Sequence, residues 1–143
     1  MLVIKKLNAE KLASLGDTAA LDAFVPQGIA GCLASGATVF VLLTDNQPAG
    51  VLVMDSAAEG TKPAFLRVRQ VAVLAPLRRH GLGRMLMCVA AGEAVERQVW
   101  FLGCPAALTA EAQAFADAMH FRAGLVPGAL LLDLSDVEGM RHG

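Results

Sequence analysis

The stretch LAPLRRHGLGRML, residues 74–86, places three arginines, a histidine and two glycines between two regular patterns. Before it, FLRVRQVAVL at 65–74 alternates polar and apolar residues as a strand does. After it, LGRMLMCVAAGEAVER at 82–97 carries apolar residues at helical spacing. A strand that turns through glycines into a helix exposes unpaired backbone N–H groups at the positive end of the helix dipole. The segment therefore predicts a strand, a turn and a helix, with an anion site at the turn.

The charge of the whole chain makes this local cluster informative. Twelve basic and thirteen acidic residues give a formal net charge of −1, which leaves no general field to attract nucleic acid or a membrane. We therefore expect neither as a partner, and any anion site must be local. Arg84 supports such a site, because a cation in the first turn of a helix costs up to about 1 kcal/mol unless an anion offsets it.

Two common phosphate-binding patterns do not fit the turn. The P-loop pattern needs a lysine and a hydroxyl residue, and nothing downstream of Gly81 supplies them. The dinucleotide pattern GxGxxG fails because Leu86 stands where the third glycine belongs. The sequence thus disfavours nucleotide hydrolysis and dinucleotide redox chemistry.

Length, hydropathy and cysteine content set the broad class. A chain of 143 residues predicts a single domain over 1–143, and its apolar residues are too dispersed for a membrane-spanning helix. The start MLVIKKLNAEKL does not resemble a secretion signal, so we expect a cytoplasmic protein. Cys32, Cys88 and Cys104 are odd in number and form no CxxC pair, which disfavours a disulfide framework and structural zinc. We expect no metal, and reduced thiols that are mostly buried.

Caps, turns and alternation predict the remaining elements. A strand at 2–7 precedes a helix that Asn8 caps, and a helical stretch at 18–34 should break near Pro26 and Gly28. TVFVLLT and GVLVMDS flank DNQPA, which predicts a hairpin. Further strands are predicted at 99–103, 121–126 and 128–134, and a helix at 109–119. The order predicts an α/β fold with a mixed, mostly antiparallel sheet and flanking helices.

One phosphate-binding pattern does fit the turn. Arg78, Gly81 and Gly83 form RxxGxG, preceded by the strand VAV at 71–73 and followed by an apolar helix. This unit resembles the acetyl-CoA signature of the GNAT family of N-acetyltransferases. A second segment, TAEAQAFADAMHF at 109–121, is similar to a later segment of that family at Thr109, Ala112, Phe115, Ala116, His120 and Phe121. The resemblance implies the GNAT acyl-CoA acyltransferase fold, with acetyl-CoA as the cofactor.

The resemblance also implies which residues bind acetyl-CoA. The backbone of Val71 and Val73 is expected to bind the pantetheine arm and the thioester, and the turn is expected to bind the pyrophosphate. The cofactor-binding candidates are Val71, Ala72, Val73, Arg78, Arg79, His80, Gly81, Leu82, Gly83, Arg84, Thr109, Ala112 and Phe115. The implied acceptor is a small-molecule or peptide amine that attacks the thioester directly in a ternary complex.

The groups that would move protons are harder to assign. Asp55 and Glu59 are candidate bases, whereas Gln70 can orient a water but cannot take a proton. Cys104 is a candidate near the thioester, with a small buried thiol as its alternative role. The family often carries a tyrosine acid at the position of Ala116, and this chain has no tyrosine.

Three functions are consistent with these residues. The first is an acetyl-CoA-dependent N-acetyltransferase. The second is a non-catalytic acetyl-CoA sensor that binds a partner protein, because the cofactor turn is intact while Ala116 replaces the acid. The third is a phosphate-binding domain without CoA specificity. His120 is expected to end a helix, Trp100 is expected in the core, and exposed edge strands with surplus apolar residues favour a homodimer.

Overall fold

Helices and strands follow the order that the sequence predicts, with one strand fewer at the end. A computed structural model describes residues 1–75, 81–106 and 109–135. The elements are β1 (Leu2–Lys6), α1 (Ala9–Ser14), α2 (Ala19–Asp22), α3 (Gly28–Ala34), β2 (Thr38–Thr44), β3 (Gln47–Ser56), β4 (Leu66–Val73), α4 (Leu82–Glu96), β5 (Phe101–Pro105), α5 (Ala110–Ala118) and β6 (Ala129–Asp133). Among these described helices, none is long and apolar enough to cross a membrane.

The described strands form one six-stranded sheet in the order β1-β2-β3-β4-β5-β6. The pairs β1–β2, β2–β3 and β5–β6 are antiparallel, and β4–β5 is parallel. A parallel pair needs a crossover connection, and α4 provides it. The predicted mixed, mostly antiparallel sheet with flanking helices is therefore confirmed.

The hairpin between β2 and β3 turns earlier than the sequence suggested. Asp45 and Asn46 have φ values of 49° and 67°, and two consecutive residues with positive φ are typical of a type I′ hairpin turn. As a result β3 begins at Gln47, and Pro48 lies within the strand opposite Leu43, beside a register shift. A bulge is one of the few places where a sheet accepts proline.

The predicted strand at 121–126 is wrong. Its position holds a single β-bridge, in which Arg122 and Leu131 exchange two backbone hydrogen bonds of 2.8 Å. Gly124 has a φ of 111°, a conformation outside the range of a strand. Only the second predicted strand of this region forms, as β6.

The chain divides into two compact units. This division does not test the prediction of a single domain. The first consists of Met1–Asp55 and Arg69–Cys88. Its core joins the hairpin to the N-terminal helices: the buried side chains are Leu7, Leu21, Val25, Ile29, Cys32, Ala37, Val39, Val41, Leu43, Val51, Val53 and Ala72. The predicted helix break is present, because Gln27 and Gly28 both have positive φ and Asp22 Oδ1 accepts a 2.9 Å hydrogen bond from Ile29 N–H.

The second unit consists of Ser56–Val68 and the described residues from Val89 onward. Its interior brings the Phe65 ring directly against the backbone of Gly103 on β5. Leu102 and residues 130–132 are buried in the same unit. The absence of a side chain at Gly103 is thus what makes room for the aromatic ring.

Replacing Gly103 with alanine should lower the free energy of unfolding by about 1–3 kcal/mol, because it overfills a packed interior. The new Cβ would lie within 3.0 Å of ring carbons of Phe65 and of Leu131 Cδ2. Urea denaturation measures the change. Gly92→Ala in α4 is the matched control, since nothing lies within 4 Å of its Cβ position and alanine should add up to about 1 kcal/mol there. Equal stability of the two variants would contradict the packing argument.

Candidate functional site

The C-terminal half of β4 forms one side of the candidate site. Val71 is half-buried, and Ala72 and Val73 are buried. Just beyond them, Leu74 N–H donates a 2.9 Å hydrogen bond to Ala49 O of β3. The parallel register with β5 ends with the pair Arg67–Gly103, so residues 71–73 lie past the part of β4 that pairs with β5.

The start of α4 supplies hydrogen-bond donors in the same unit. Met85 N–H donates a 3.0 Å hydrogen bond to Gly81 O, which makes Gly81 the N-cap residue of the helix. The N–H groups of residues 82–84 belong to the first turn and have no intrahelical acceptor. Within the described ranges they donate to no protein group. These donors and the positive end of the helix dipole together can bind an anion.

Gly81 adopts a left-handed backbone, with a φ of 78°. No atom of the described residues lies within 4 Å of the position that a Cβ would take, so the space there is open as far as they are concerned. The glycine is therefore required by its dihedral angle and not by crowding.

We expect Gly81→Ala to lower the free energy of unfolding by about 1 kcal/mol, because a Cβ strains a left-handed residue. The measurement is a urea denaturation midpoint with an unchanged slope. Gly16→Ala serves as the control, since its surroundings are also open but its φ is not positive. A loss of the same size in both variants would show that the strain at Gly81 is not the cause.

Arg84 is exposed in the first turn of α4, where no acidic residue is present. It has no carboxylate partner in the part of the chain that the structure describes. As predicted, the positive charge of Arg84 therefore lies at the positive end of the helix dipole, which is unfavourable unless an anion binds there. Arg78, Arg79 and His80, which the sequence also assigned to cofactor binding, lie outside the described residues.

An ion pair joins β3 to β4 within the first unit. Asp55 Oδ2 lies 3.6 Å from Arg69 Nη1, and the two side chains are 24% and 29% exposed. Asp55 was a candidate from the sequence but Arg69 was not, because the only signal at Arg69 was its place among the alternating polar residues of the strand. Glu59, the other candidate base, is exposed in the loop after β3 and belongs to the second unit.

The second unit contains the remaining candidates. Cys104 follows Gly103 on β5 and pairs with Leu130; burial raises the pKa of its thiol, which therefore keeps its proton at neutral pH. Thr109 Oγ1 accepts a 3.2 Å hydrogen bond from Ala112 N–H and caps α5. The Phe115 side chain on the same helix is exposed.

Two further positions that the sequence singled out, Ala116 and His120, lie at the C-terminal end of α5 and just beyond it. Ala116 is buried, and its carbonyl oxygen accepts a 3.0 Å hydrogen bond from Phe121 N–H. His120 has a φ of 70°, so it is the left-handed residue that ends the helix. The predicted capping role of His120 is confirmed. No group of three or more His, Cys, Asp or Glu side chains that could hold a metal ion occurs in the described ranges.

Three solved structures resemble the chain over nearly its whole length. A proposed acetyltransferase from Exiguobacterium sp. 255-15 has a TM-score of 0.73 at 20% identity, covering 98% of both chains. A tyrosine-to-phenylalanine mutant of the toxin AtaT, bound to the C-terminus of the antitoxin AtaR and acetyl-CoA, has a TM-score of 0.71 at 17% identity, covering 99% of both. AtaT complexed with acetyl-methionyl-tRNAfMet has a TM-score of 0.69 at 15% identity, again covering 99% of both. From the sequence we expected no nucleic acid as a partner. The complex of the neighbour AtaT with a tRNA does not support that expectation.

Sequence comparison identifies the family. No curated protein matches the chain, but the family model described as Acetyltransferase (GNAT) family matches residues 8–121. The matched range includes β4, the glycine turn (the segment with Gly81 and Gly83 where β4 leads to α4), α4 and α5. The match agrees with the fold of the structural neighbours and with the predicted resemblance. The chain therefore belongs to the GNAT acetyltransferase family.

Proposed function

We propose that the chain is an N-acetyltransferase that moves an acetyl group from acetyl-CoA to an amine. The observation that supports this most strongly is the helix start at Gly81, where N–H donors, open space and Arg84 converge in a GNAT family member. Backbone N–H groups at a helix start and an arginine guanidinium are groups that bind phosphate anions such as pyrophosphate. AtaT, a structural neighbour, is known with acetyl-CoA bound.

The proposed cofactor site lies along the end of β4 and the start of α4. Gly81, Leu82, Gly83 and Arg84 bind the pyrophosphate, with Arg78, Arg79 and His80 as further candidates. The backbone of residues 71–73 binds the pantetheine arm, beyond the part of β4 that pairs with β5. On α5, Thr109, Ala112 and Phe115 remain cofactor-binding candidates; the hydroxyl of Thr109 is occupied by its helix cap, which leaves the exposed Phe115 ring as the group best able to contact a ligand.

Acetyl-CoA supplies an acetyl group activated as a thioester, and the protein must manage the protons. Asp55 is the proposed base, because a carboxylate can take a proton from the ammonium form of the acceptor. Cys104 is the proposed acid, because its thiol keeps its proton at neutral pH and can donate to a leaving thiolate. Catalysis without a tyrosine is consistent with these two assignments.

Small-molecule and peptide amines are the acceptors we propose to test first. The segments 18–36, 56–64 and 126–128 contain only two acidic residues, Asp22 and Glu59, which favours a small or apolar acceptor over a polycation. An aminoacyl-tRNA belongs in the same test, because the neighbour AtaT is known in a complex with acetyl-methionyl-tRNAfMet.

Calorimetry with acetyl-CoA, CoA and ATP tests the cofactor assignment. We expect acetyl-CoA and CoA to bind at tens of micromolar or tighter and ATP to bind more weakly. Thiol release is then followed over L-phenylalanine amide, spermidine, a short peptide and an aminoacyl-tRNA. Failure of acetyl-CoA to bind would overturn the proposal.

A sensor function is the second candidate, and one observation favours it. Ala116 is buried where many family members place a tyrosine acid, and the whole chain has no tyrosine. A sensor would bind acetyl-CoA as tightly as an enzyme but release no thiol with any acceptor. The same two measurements therefore separate these functions.

A further inference from the structure

The ion pair between Asp55 and Arg69 contributes little to folding by its geometry. Each side chain is about a quarter exposed, and the closest N–O distance is 3.6 Å, longer than the roughly 2.7–2.9 Å of a charge-assisted hydrogen bond, so the contact is a loose, partly buried ion pair. Neither exposed nor buried ion pairs are strong evidence of net stabilisation. A role in stability is therefore a weak explanation for an arginine at this point of β4.

The position of the pair relative to the proposed cofactor strand is more informative. Arg69 precedes Val71 by two residues, and in a strand such residues share a face about 6.6 Å apart. Asp55 is the second-to-last residue of β3, where the backbone leaves the sheet. The guanidinium thus ties a carboxylate at a strand end to the segment of β4 that leads into the cofactor site.

We propose that Arg69 is a positioning residue that orients the Asp55 carboxylate toward the acceptor amine; this inference rests on the proposed acetyl transfer. The acceptor ammonium gives one proton to Asp55. Its nitrogen electron pair then forms the C–N bond as the C–S bond breaks. The sulfur keeps the electron pair of that bond and takes the proton of Cys104, and the second nitrogen proton then replaces the proton that Cys104 has given up. Arg69 takes no part in proton transfer and acts only through the orientation of Asp55.

The test compares Arg69→Gln and Arg69→Lys in the full chain, with thiol release from acetyl-CoA and L-phenylalanine amide, spermidine or a short peptide as probes. At pH 7, Arg69→Gln should lower kcat by about 10- to 100-fold, because small misplacements of a reacting group cost this much. The KM for acetyl-CoA should change less than about twofold, since uniform binding is untouched. Lysine should restore most of kcat, because a single 3.6 Å contact does not need the planar fork of arginine.

Two further readouts separate positioning from a structural role. With spermidine the deficit should shrink near pH 10, because its alkylammonium groups, with a pKa of about 10, then lose their proton to solvent and need no base. Arg97→Gln is the matched control, since it removes another partly exposed arginine that pairs with a carboxylate, Glu93, at 3.8 Å. Its kcat should equal that of the wild type.

Each outcome decides the inference. An unchanged kcat in Arg69→Gln, with an active wild type, overturns the positioning role and leaves acetyl transfer intact. A deficit that is equal at both pH values and accompanies a large fall in Tm assigns Arg69 to folding and also overturns it. Absence of thiol release by the wild type with every probe means that the proposed transfer itself fails, and the positioning role with it.

Discussion

Replacing Gly83 with glutamate is expected to abolish acetyl-CoA binding without weakening the fold. Gly83 is the second residue of α4, and its N–H lies in the turn proposed to hold the pyrophosphate. A carboxylate there repels the phosphates, and a like-charge pair at 4 Å near a protein surface costs about 4 kcal/mol. The side chain also occupies space that the glycine leaves to the ligand. We expect the affinity to fall at least about 100-fold by calorimetry.

The stability of the fold should not fall together with the affinity, so unfolding would not explain a loss of acetyl-CoA binding in this variant. An acidic residue in the first turn of a helix interacts favourably with the dipole, by about 0.3–1 kcal/mol. Glutamate is also a better helix former than glycine. The free energy of unfolding of the Gly83 variant should therefore stay equal or rise, as measured in urea.

Gly92→Glu is the control for this experiment, because it places the same side chain on the same helix, away from its first turn. Gly92 is exposed, and nothing lies within 4 Å of its Cβ position. Acetyl-CoA should bind this variant like the wild type. Retained affinity in Gly83→Glu would mean that the phosphate site does not lie at this turn.

Features governed by neighbouring residues were predictable from the sequence. Asn8 was expected to cap a helix, and its Oδ1 accepts a 2.7 Å hydrogen bond from Lys11 N–H. The chain was expected to turn through glycines into a helix, and Gly81 makes that turn with a φ of 78°. Each of these depends on a side chain and backbone within a few positions, so local chemistry determines it.

Burial and pairing across strands were not predictable in this way. Cys88 is exposed and Cys104 is half-exposed, although the thiols were expected to be mostly buried. Trp100, expected in the core, is 50% exposed and lies just before β5. Arg69 could not be assigned to Asp55, because their contact depends on how β3 and β4 are paired. Since β3 is buried on both faces over residues 48–54, its sequence lacks the polar–apolar alternation that would set this register.

Asp55→Asn should lower kcat for acetyl transfer by about 100- to 10,000-fold, the contribution typical of a general base. Asparagine keeps the shape of the side chain but cannot take a proton. Because Asp55 lies on β3 and not in the glycine turn, acetyl-CoA should bind with its affinity changed less than about twofold. Thiol release under saturating acetyl-CoA and calorimetry measure the two quantities separately.

Glu59→Gln is the matched control, since it removes the other candidate carboxylate, which is exposed in the loop after β3. Its kcat should equal that of the wild type. A fast Asp55→Asn enzyme beside a slow Glu59→Gln enzyme would assign the base to Glu59.

If Asp55 is the base that Arg69 orients, the double variant Asp55→Asn/Arg69→Gln should be no slower than Asp55→Asn alone, because Arg69 has nothing left to position. Additive losses would instead show that the two residues act independently.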